Sequence, residues 1–438
     1  MPKTADIIII GGGPGGYETA ALAAGRGKHV ILFERDSLGG TCLNRGCMPT
    51  KCLCASAQRL NEIRSAARLG IVAGDASVDF KAVNERKDAI LAELRKGVEN
   101  SLRDVEIIRA EARFTGPATV TADGHDYNAG KIIIATGARP ASLNIPGAGT
   151  ALDSDGVLAL GDVPESMVII GGGVIGLEFA SVFASFGCKV TVIEYCKEIL
   201  PGFDTEIARR LRAYLSRRGI DFVLGAEVKA IDGNTVACTQ KSKDKTIEAA
   251  CIVMAVGRRP VIPDGLEAAG IETDRRGFII TGEDMQTSAK GIYAIGDVNG
   301  RCMLAHAASA QGRKVLGEDV NLNIIPAVVF TEPECASVGL TAEIAGDGFF
   351  SVKVPFGAVG KALASDDAEG LLKLTVEKSN GRIAGCQAVG AHSADLIAEA
   401  AAAIYGGLTA RQLALNLVHA HPTMSELLVA VSGLALKP

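Results

Sequence analysis

The amino-acid sequence predicts an α/β fold in which one βαβ pattern occurs twice and an α+β region closes the chain. Three observations carry this. A glycine-rich run appears near residue 11 and again near residue 171, each directly after a short β-branched run. Each run opens an Ala- or Phe-containing helical stretch that leads into a second short strand ending in glutamate. After about residue 325 the texture changes to strand pairs followed by helices.

The first copy begins with Ile7-Ile8-Ile9-Ile10, a run suited to a buried parallel strand. Gly11-Gly12-Gly13-Pro14-Gly15-Gly16 follows, then an Ala-rich helix through Ala24 and a strand from His29 to Phe33 that ends at Glu34. The second copy runs from Val168-Ile169-Ile170 through Gly171-Gly172-Gly173-Val174-Ile175-Gly176, a helix to about Phe186, and a strand from Lys189 to Ile193 ending at Glu194. Both fit G-x-G-x-x-G, and in both the first glycine lies 23 residues before the glutamate. Gly11 and Gly171 permit the tight turn. Gly13 and Gly173 let a pyrophosphate approach the backbone, and Gly16 and Gly176 let helix and strand pack closely. The helix start offers N–H groups and partial positive charge to phosphates, and the closing glutamate can accept from a ribose hydroxyl. Two such units imply two Rossmann-like domains and two dinucleotides. Glu194 favours a ribose 2′-hydroxyl over a 2′-phosphate, and Lys197 is the single base close by, so NAD is expected there rather than NADP.

Between the copies, Val83, Ile90, Leu94 and Val98 recur at helical spacing, which predicts a helix over 80–103. Ile132-Ile133-Ile134 into Ala135-Thr136-Gly137 and Ile252-Val253-Met254 into Ala255-Val256-Gly257 read as strands returning to each nucleotide sheet. In the last region, 369–377 and 382–389 read as strands joined across Asn380-Gly381, a hairpin signal, and 394–405 and 409–418 read as helices.

Composition narrows the function classes. The 438 residues are 48% apolar and 22% charged, which suits two to four globular domains. Trp is absent, aromatics are 4% and the net charge is −5, which argues against a nucleic-acid partner. No apolar run approaches the roughly 20 residues of a membrane helix. The Ile7–Ile10 run is too short for a signal-peptide core, and eleven cysteines in a chain of this length are not a secreted disulfide framework, so a cytoplasmic protein with mostly reduced thiols is expected.

The segment Gly39-Gly40-Thr41-Cys42-Leu43-Asn44-Arg45-Gly46-Cys47-Met48-Pro49-Thr50-Lys51 carries the chemistry. Two cysteines five apart on a regular helix lie too far apart for a disulfide, whose Cα atoms are rarely more than about 7 Å apart. Gly46 and Pro49 allow the irregularity that would bring Cys42 and Cys47 together. A helix starting there would place Cys47 at its N-terminus, where the dipole favours thiolate. A metal site recruiting Cys52 and Cys54, or two unlinked buried thiols, are the competing readings.

The cysteine segment, both fingerprints and His421-Pro422-Thr423-Met424-Ser425-Glu426 together resemble the flavin disulfide reductases, the class I pyridine nucleotide-disulfide oxidoreductases, over nearly the whole chain. Within that family the best match is the branch that oxidises dihydrolipoamide. The resemblance implies residues 1–145 and 263–324 as parts of an FAD-binding domain, 146–262 as an NAD-binding domain and 325–438 as a dimerisation domain. It assigns Gly11, Gly13, Gly16, Glu34, Thr41, Lys51, Thr136, Gly137, Asp297 and Ala305 to FAD, and Gly171, Gly173, Gly176, Glu194 and Gly257 to NAD, with no metal. Asp297 closes Gly291-Ile292-Tyr293-Ala294-Ile295-Gly296-Asp297, and the helix start in Met303-Leu304-Ala305-His306 would face the flavin. Lys51 would pair with Glu178 beside the flavin. Val174 replaces the gating tyrosine of glutathione-type enzymes, as suits the lipoamide branch.

The same resemblance makes Cys42 the substrate-exposed interchange thiol and Cys47 the flavin-side thiolate. His421, oriented by Glu426, is the acid–base group and serves the other subunit of a homodimer, with His419 in support. Dihydrolipoamide would be oxidised with NAD+ as acceptor, its lipoyl group arriving on a separate protein of a 2-oxoacid dehydrogenase complex or glycine cleavage system. A reductase of another disulfide, using NADH or NADPH, and a non-catalytic nucleotide-bound subunit are the alternatives. The chain departs from the family in a trimmed region around 66–80 and in Arg45, Met48 and Thr50, of which Arg45 is expected to add positive charge beside the pair.

Overall fold

The computed structural model describes residues 2–437. They form two compact units. Unit 1 contains residues up to Cys52 together with Asn84–Ala141 and Gly257–Leu322, and unit 2 contains Leu53–Val83, Ser142–Val256 and the chain from Asn323 onward.

Unit 1 is built on a seven-stranded sheet. Glu106–Ile108, Val30–Phe33, Lys3–Ile10 and His125–Ile134 run parallel in that order, and Ile292–Ala294 pairs in parallel with the far end of His125–Ile134. Thr119–Ala122 and Arg113–Gly116 extend the sheet as an antiparallel meander. The isoleucine runs alternate faces, as period-2 strands must. Ile8, Ile10, Ile31, Phe33, Ile132 and Ile134 pack in one core, where Phe33 meets Tyr127 edge-on at 5.0 Å. Ile7, Ile9, Val30, Leu32 and Ile133 pack in the core on the opposite face. Burial on both faces explains why these strands are continuous apolar runs.

Two helices of unit 1, Pro14–Gly25 and Ala305–Val315, lie in close contact. Gly312 makes this possible, because a Cβ there would run into the Thr19 hydroxyl. That hydroxyl donates to the Gly15 carbonyl at 2.5 Å.

Unit 2 repeats the parallel pattern with Asp221–Leu224, Lys189–Glu194, Ser166–Ile170 and Cys251–Met254 in spatial order. An antiparallel sheet of Ala226–Asp232, Thr235–Gln240 and Lys243–Glu248 covers one side of its core. A five-stranded antiparallel sheet follows, ordered Ala327–Val329, Cys335–Gly339, Ile383–Gly390, Gly370–Glu377 and Phe349–Pro355. Helices Ser393–Tyr405, Ala410–Leu415 and Glu426–Leu434 pack their apolar sides into its core. The fold class is therefore the α/β class expected, with an α+β C-terminal region.

The hairpin turns at Gly381, whose φ is +73° and whose N–H donates to the Glu377 carbonyl at 2.9 Å. Helix 80–103 is observed as Phe80–Ser101. The helix expected over 409–418 is shorter. Thr409 caps it in a reciprocal capping box with Gln412, and it ends at Leu415. Both Asn416 and Leu417 donate to the Gln412 carbonyl, which closes the last turn, and Leu417 and Val418 are exposed. Residues 66–69 form a 3-10 turn, and 70–79 have no regular structure. No helix among the described residues is long and apolar enough to cross a membrane.

Gly312→Ala is expected to destabilise the protein by about 1–3 kcal/mol through overpacking, read as a lower urea midpoint. Adding Thr19→Ala should recover part of the loss, and a double variant as unstable as the single one would show that Thr19 is not the obstacle.

Candidate active site

The first glycine loop has no room for a side chain at Gly11 or Gly16. Gly11 has φ +108°, and a Cβ on it would meet the Ala135 carbonyl; one on Gly16 would meet the Gly11 carbonyl oxygen. Gly13 caps the Pro14–Gly25 helix without a side-chain bond, leaving the helix start to offer its N–H groups. Glu34 is buried, and its two oxygens accept from Gly12 N and Asp36 N, each at 2.7 Å. The glutamate read from sequence as a ribose acceptor thus also clamps the loop, and its remaining lone pairs stay available to a hydroxyl.

The cysteine segment hangs from this loop. Gly40, at φ +57°, comes so close to Gly13 that a Cβ would strike it. The six-residue helix Gly40–Arg45 carries Cys42 and breaks at Gly46, where a Cβ would lie 2.9 Å from the Thr41 carbonyl oxygen. The next helix, Cys47–Ser65, starts on Cys47. Asn44 holds the short helix by donating to the carbonyls of Gly40 at 2.9 Å and Leu38 at 3.0 Å, and it accepts from Arg95 at 3.2 Å. Thr50 donates to the Gly46 carbonyl at 2.7 Å.

The two thiols are consequently within hydrogen-bonding reach. That hydrogen bond to Cys47, and then burial, push the Cys42 thiol well up, against the pull of the Lys51 ammonium. Cys42 is half-buried and Cys47 exposed, so exposure does not single out Cys42 as the substrate-facing thiol. Cys52 is buried and Cys54 donates to the Phe330 carbonyl at 3.4 Å. Among the described residues no group of three or more His, Cys, Asp or Glu side chains is placed to hold a metal ion.

Unit 1 brings further expected residues into the same compact body. Thr136 donates to the Val261 carbonyl at 2.5 Å, and the Gly137 carbonyl, at φ +71°, accepts from Val261 N at 2.9 Å. Asp297 lies in the 3-10 turn Gly296–Asn299. Burial pushes its carboxyl up, opposed by the Arg258 guanidinium 3.7 Å away. Gln311 fixes this turn, its Oε1 accepting from Gly296 N at 2.8 Å and Asn299 Nδ2 at 2.9 Å. Helix Ala305–Val315 has Leu304 at its N-cap position and no side-chain cap.

Unit 2 repeats the glycine geometry. Gly171 has φ +115°, and a Cβ on it would strike the Ala255 carbonyl; one on Gly176 would strike Gly171. Gly173 caps the Val174–Ser185 helix. Glu194 is buried and accepts from Gly172 N at 2.5 Å and Cys196 N at 2.7 Å, matching Glu34 bond for bond. Lys197 is exposed, and Arg212 is committed to Glu198 through two bonds of 2.7 and 3.0 Å. Gly257, expected with this group, falls in unit 1, at φ +108°. Val174 is exposed at the helix start, while Glu178, further along, is buried and accepts from Phe330 N at 2.9 Å.

His421 Nδ1 lies 2.9 Å from Glu426 Oε1, and Glu426 Oε2 accepts from Thr423 N at 3.0 Å. The carboxylate therefore orients the ring through Nδ1. The His421 side chain is 78% exposed. The His421 contact first, and then the Thr423 N–H, hold the Glu426 carboxyl below its ordinary value of 4.5. A lowered carboxyl contributes stability that is present above the ordinary value and is lost as pH falls through the lowered one. His419 forms a second, buried pair, its Nε2 lying 2.6 Å from Glu399.

Comparisons with known proteins agree with this geometry. Residues 5–312 match the model of the pyridine nucleotide-disulphide oxidoreductases, and residues 325–431 match the dimerisation domain of the same family. The chain belongs to the pyridine nucleotide-disulphide oxidoreductase family. A dihydrolipoyl dehydrogenase of Geobacillus stearothermophilus is 41% identical, covering 98% of this chain and 96% of the relative. One from Thermus scotoductus is 39% identical, covering 97% and 96%. Among solved structures, the HOCl-induced flavoprotein disulfide reductase RclA of Escherichia coli superposes with a TM-score of 0.87 at 30% identity, covering 99% of this chain and 100% of that one.

Several residues that shape this family site were not marked by the sequence. Asn44 reaches back to Gly40 and Leu38, Gln311 to Gly296 and Asn299, and Arg258 forward to Asp297, and no local sequence pattern announces these bonds. From the sequence, Arg45 is expected to add positive charge beside the cysteines. In the structure it forms an ion pair with Asp36 that holds the Asp36 carboxyl low. The added charge is thus largely cancelled. Arg45→Val is expected to change thiol-dependent turnover by less than about threefold, as for an exposed pair; a tenfold change in kcat/KM would show that Arg45 acts on the pair directly.

Proposed function

We propose that this chain oxidises dihydrolipoamide to lipoamide with NAD+ as acceptor, through a Cys42–Cys47 disulfide and bound FAD. The observation that carries this reading is the cysteine pair. Its members lie within hydrogen-bonding reach, with Cys47 on the first residue of a 19-residue helix and the segment packed on the first glycine loop. Dihydrolipoyl dehydrogenases match the chain over nearly its whole length. In this reading, residues 1–145 and 263–324 serve FAD, 146–262 serve NAD and 325–438 pair with a second copy.

The residues present fit FAD. Gly11, Gly13 and Gly16 leave open the space that side chains would fill, Glu34 retains accepting capacity for a ribose, and the uncapped Ala305 helix start suits an anionic ring edge. Thr41, Lys51, Thr136, Gly137 and Asp297 complete that set. Bound FAD would supply two-electron redox chemistry between the protein dithiol and NAD+. The second fingerprint, with Gly171, Gly173, Gly176, Glu194 and Gly257, would take NAD+. Arg212 is occupied by Glu198, which supports NAD over NADP.

The chain's own groups account for the thiol chemistry. His421, oriented by Glu426, takes a proton from one substrate thiol. The substrate thiolate attacks Cys42 Sγ, forming a mixed disulfide and releasing Cys47 as thiolate. The second substrate thiol, deprotonated in turn, displaces Cys42, so lipoamide leaves and a protein dithiol remains. The helix start favours the negative charge on Cys47, and the raised Cys42 thiol takes the proton. Lys51 and Glu178 are assigned to the flavin side. The exposure of His421 and the match to the dimerisation domain support a homodimer in which this residue serves the cysteine pair of the second copy. The substrate would arrive as a lipoyl group on a separate protein of a 2-oxoacid dehydrogenase complex or glycine cleavage system in the cytoplasm.

Cys42→Ser is expected to abolish dihydrolipoamide turnover while retaining FAD absorbance; full turnover would overturn the assignment. Glu426→Gln should lower turnover by about 10²-fold with FAD content unchanged. A panel comparing dihydrolipoamide with small disulfides, each with NAD+/NADH and NADP+/NADPH, tests the choice of substrate directly.

A further inference from the structure

The connection between the Lys189–Glu194 strand and the Thr205–Arg217 helix is tied at both ends. At the glycine end, Glu194 holds Gly172 N, and the buried Leu200 donates to the Gly172 carbonyl at 2.9 Å. Leu200 does this at φ +50°, a conformation that side chains other than glycine's disfavour, so the turn must be held by its surroundings. Phe203 N closes back on the Leu200 carbonyl at 3.0 Å.

At the other end stands Asp204, whose side chain is 0% exposed. Its Oδ1 caps the following helix, accepting from Glu206 N at 3.0 Å and Ile207 N at 3.1 Å. Its Oδ2 takes the Lys373 ammonium at 2.6 Å. Lys373 lies in the middle of the Gly370–Glu377 strand, 8% exposed, with Glu206 as a second contact at 3.4 Å. A buried ion pair of this kind adds little stability over an apolar pair of equal volume, yet removal of one member leaves a charge stranded in the interior. What it supplies here is a fixed place for Asp204.

We propose that Lys373, in the C-terminal domain, is a positioning residue for the nicotinamide dinucleotide. By holding Asp204 it fixes residues 195–204, and through Leu200 it fixes the Gly172–Glu194 clasp that receives the adenosine ribose. The inference rests on the reading of the second fingerprint as an NAD site. Without the ammonium, the Asp204 carboxylate moves toward water, the turn at Leu200 relaxes, the Gly172 carbonyl loses its donor, and Glu194 loses its fixed orientation. The thiol chemistry has no member of this chain of contacts.

The test uses the FAD-loaded full-length enzyme with saturating dihydrolipoamide and varied NAD+. Lys373→Met is expected to raise the KM for NAD+ about tenfold with kcat within about twofold. Anaerobic flavin reduction by dihydrolipoamide without NAD+ should keep its wild-type rate, and Lys373→Arg should keep a near-normal KM. Asp204→Asn retains a capping oxygen but cannot pair with the ammonium. It should give the same KM shift, and it decides the matter if Lys373→Met does not fold. An unchanged KM for NAD+ in either folded variant, beside a wild type that uses NAD+, overturns the inference alone. So does a fall in both half-reactions together, the mark of general structural damage. A wild type with no NAD+-dependent turnover overturns the fingerprint reading and the inference with it.

Discussion

A buried carboxylate at the end of the second strand grips a glycine loop, and the molecule uses that device twice. Glu34 and Glu194 each accept from a loop N–H and from the residue two positions on. The grip is possible because the loops have no side chains to hold them off, and it needs the strand and helix to approach until only hydrogen atoms fit between them. Each loop is therefore set before any ligand arrives. Pre-set N–H groups at a helix start are what makes an anion site inexpensive to fill, since little ordering remains to be done on binding.

The cysteine segment borrows its rigidity from the first of these loops. Gly40 rests on Gly13, and the short helix that follows is pinned by Asn44 on one side and broken by Gly46 on the other. A continuous helix would have carried the two sulfurs onto different faces. The break restarts the helix on Cys47, which provides proximity and electrostatic asymmetry in one step: one sulfur sits at a positive helix end, while the other is half-buried and its thiol is pushed up. Dithiol chemistry depends on that inequality, because a pair with matched acidities would have no preferred leaving group.

Much of this was legible in the sequence because it is local. The glycine spacing, the strand-end glutamates, the Asn380-Gly381 hairpin and the helix start at Cys47 each follow from residues within about 25 positions of one another. Most of the interactions that escaped join distant segments, and the Arg45–Asp36 pair, 9 positions apart, is an exception. Arg45 is adjacent to the cysteines in sequence, but its charge is answered by Asp36, and nothing in the pattern says which carboxylate faces it. Arg258 reaches Asp297 across 39 residues, and Asp204 reaches Lys373 across 169. Glu178 looks like an ordinary helix charge until the fold brings the Phe330 N–H to it. Exposure was equally hidden: the sequence could pair Cys42 with Cys47 but could not rank their burial.

The way unit 1 is threaded has a consequence for how the chain is made. Its Ile132 pairs with Ile292, and the 159 intervening positions include a large part of unit 2. At roughly 5–20 residues per second, a ribosome takes about 10–30 s to deliver that partner. Over this interval the end of the His125–Ile134 strand presents three consecutive isoleucines on an open sheet edge. Such an edge can pair with another nascent chain. The feature that gives the finished sheet its dry interior is thus also its period of greatest exposure to misassembly. Early domain closure around Lys3–Ile10, or shielding by a chaperone, is the natural protection during synthesis.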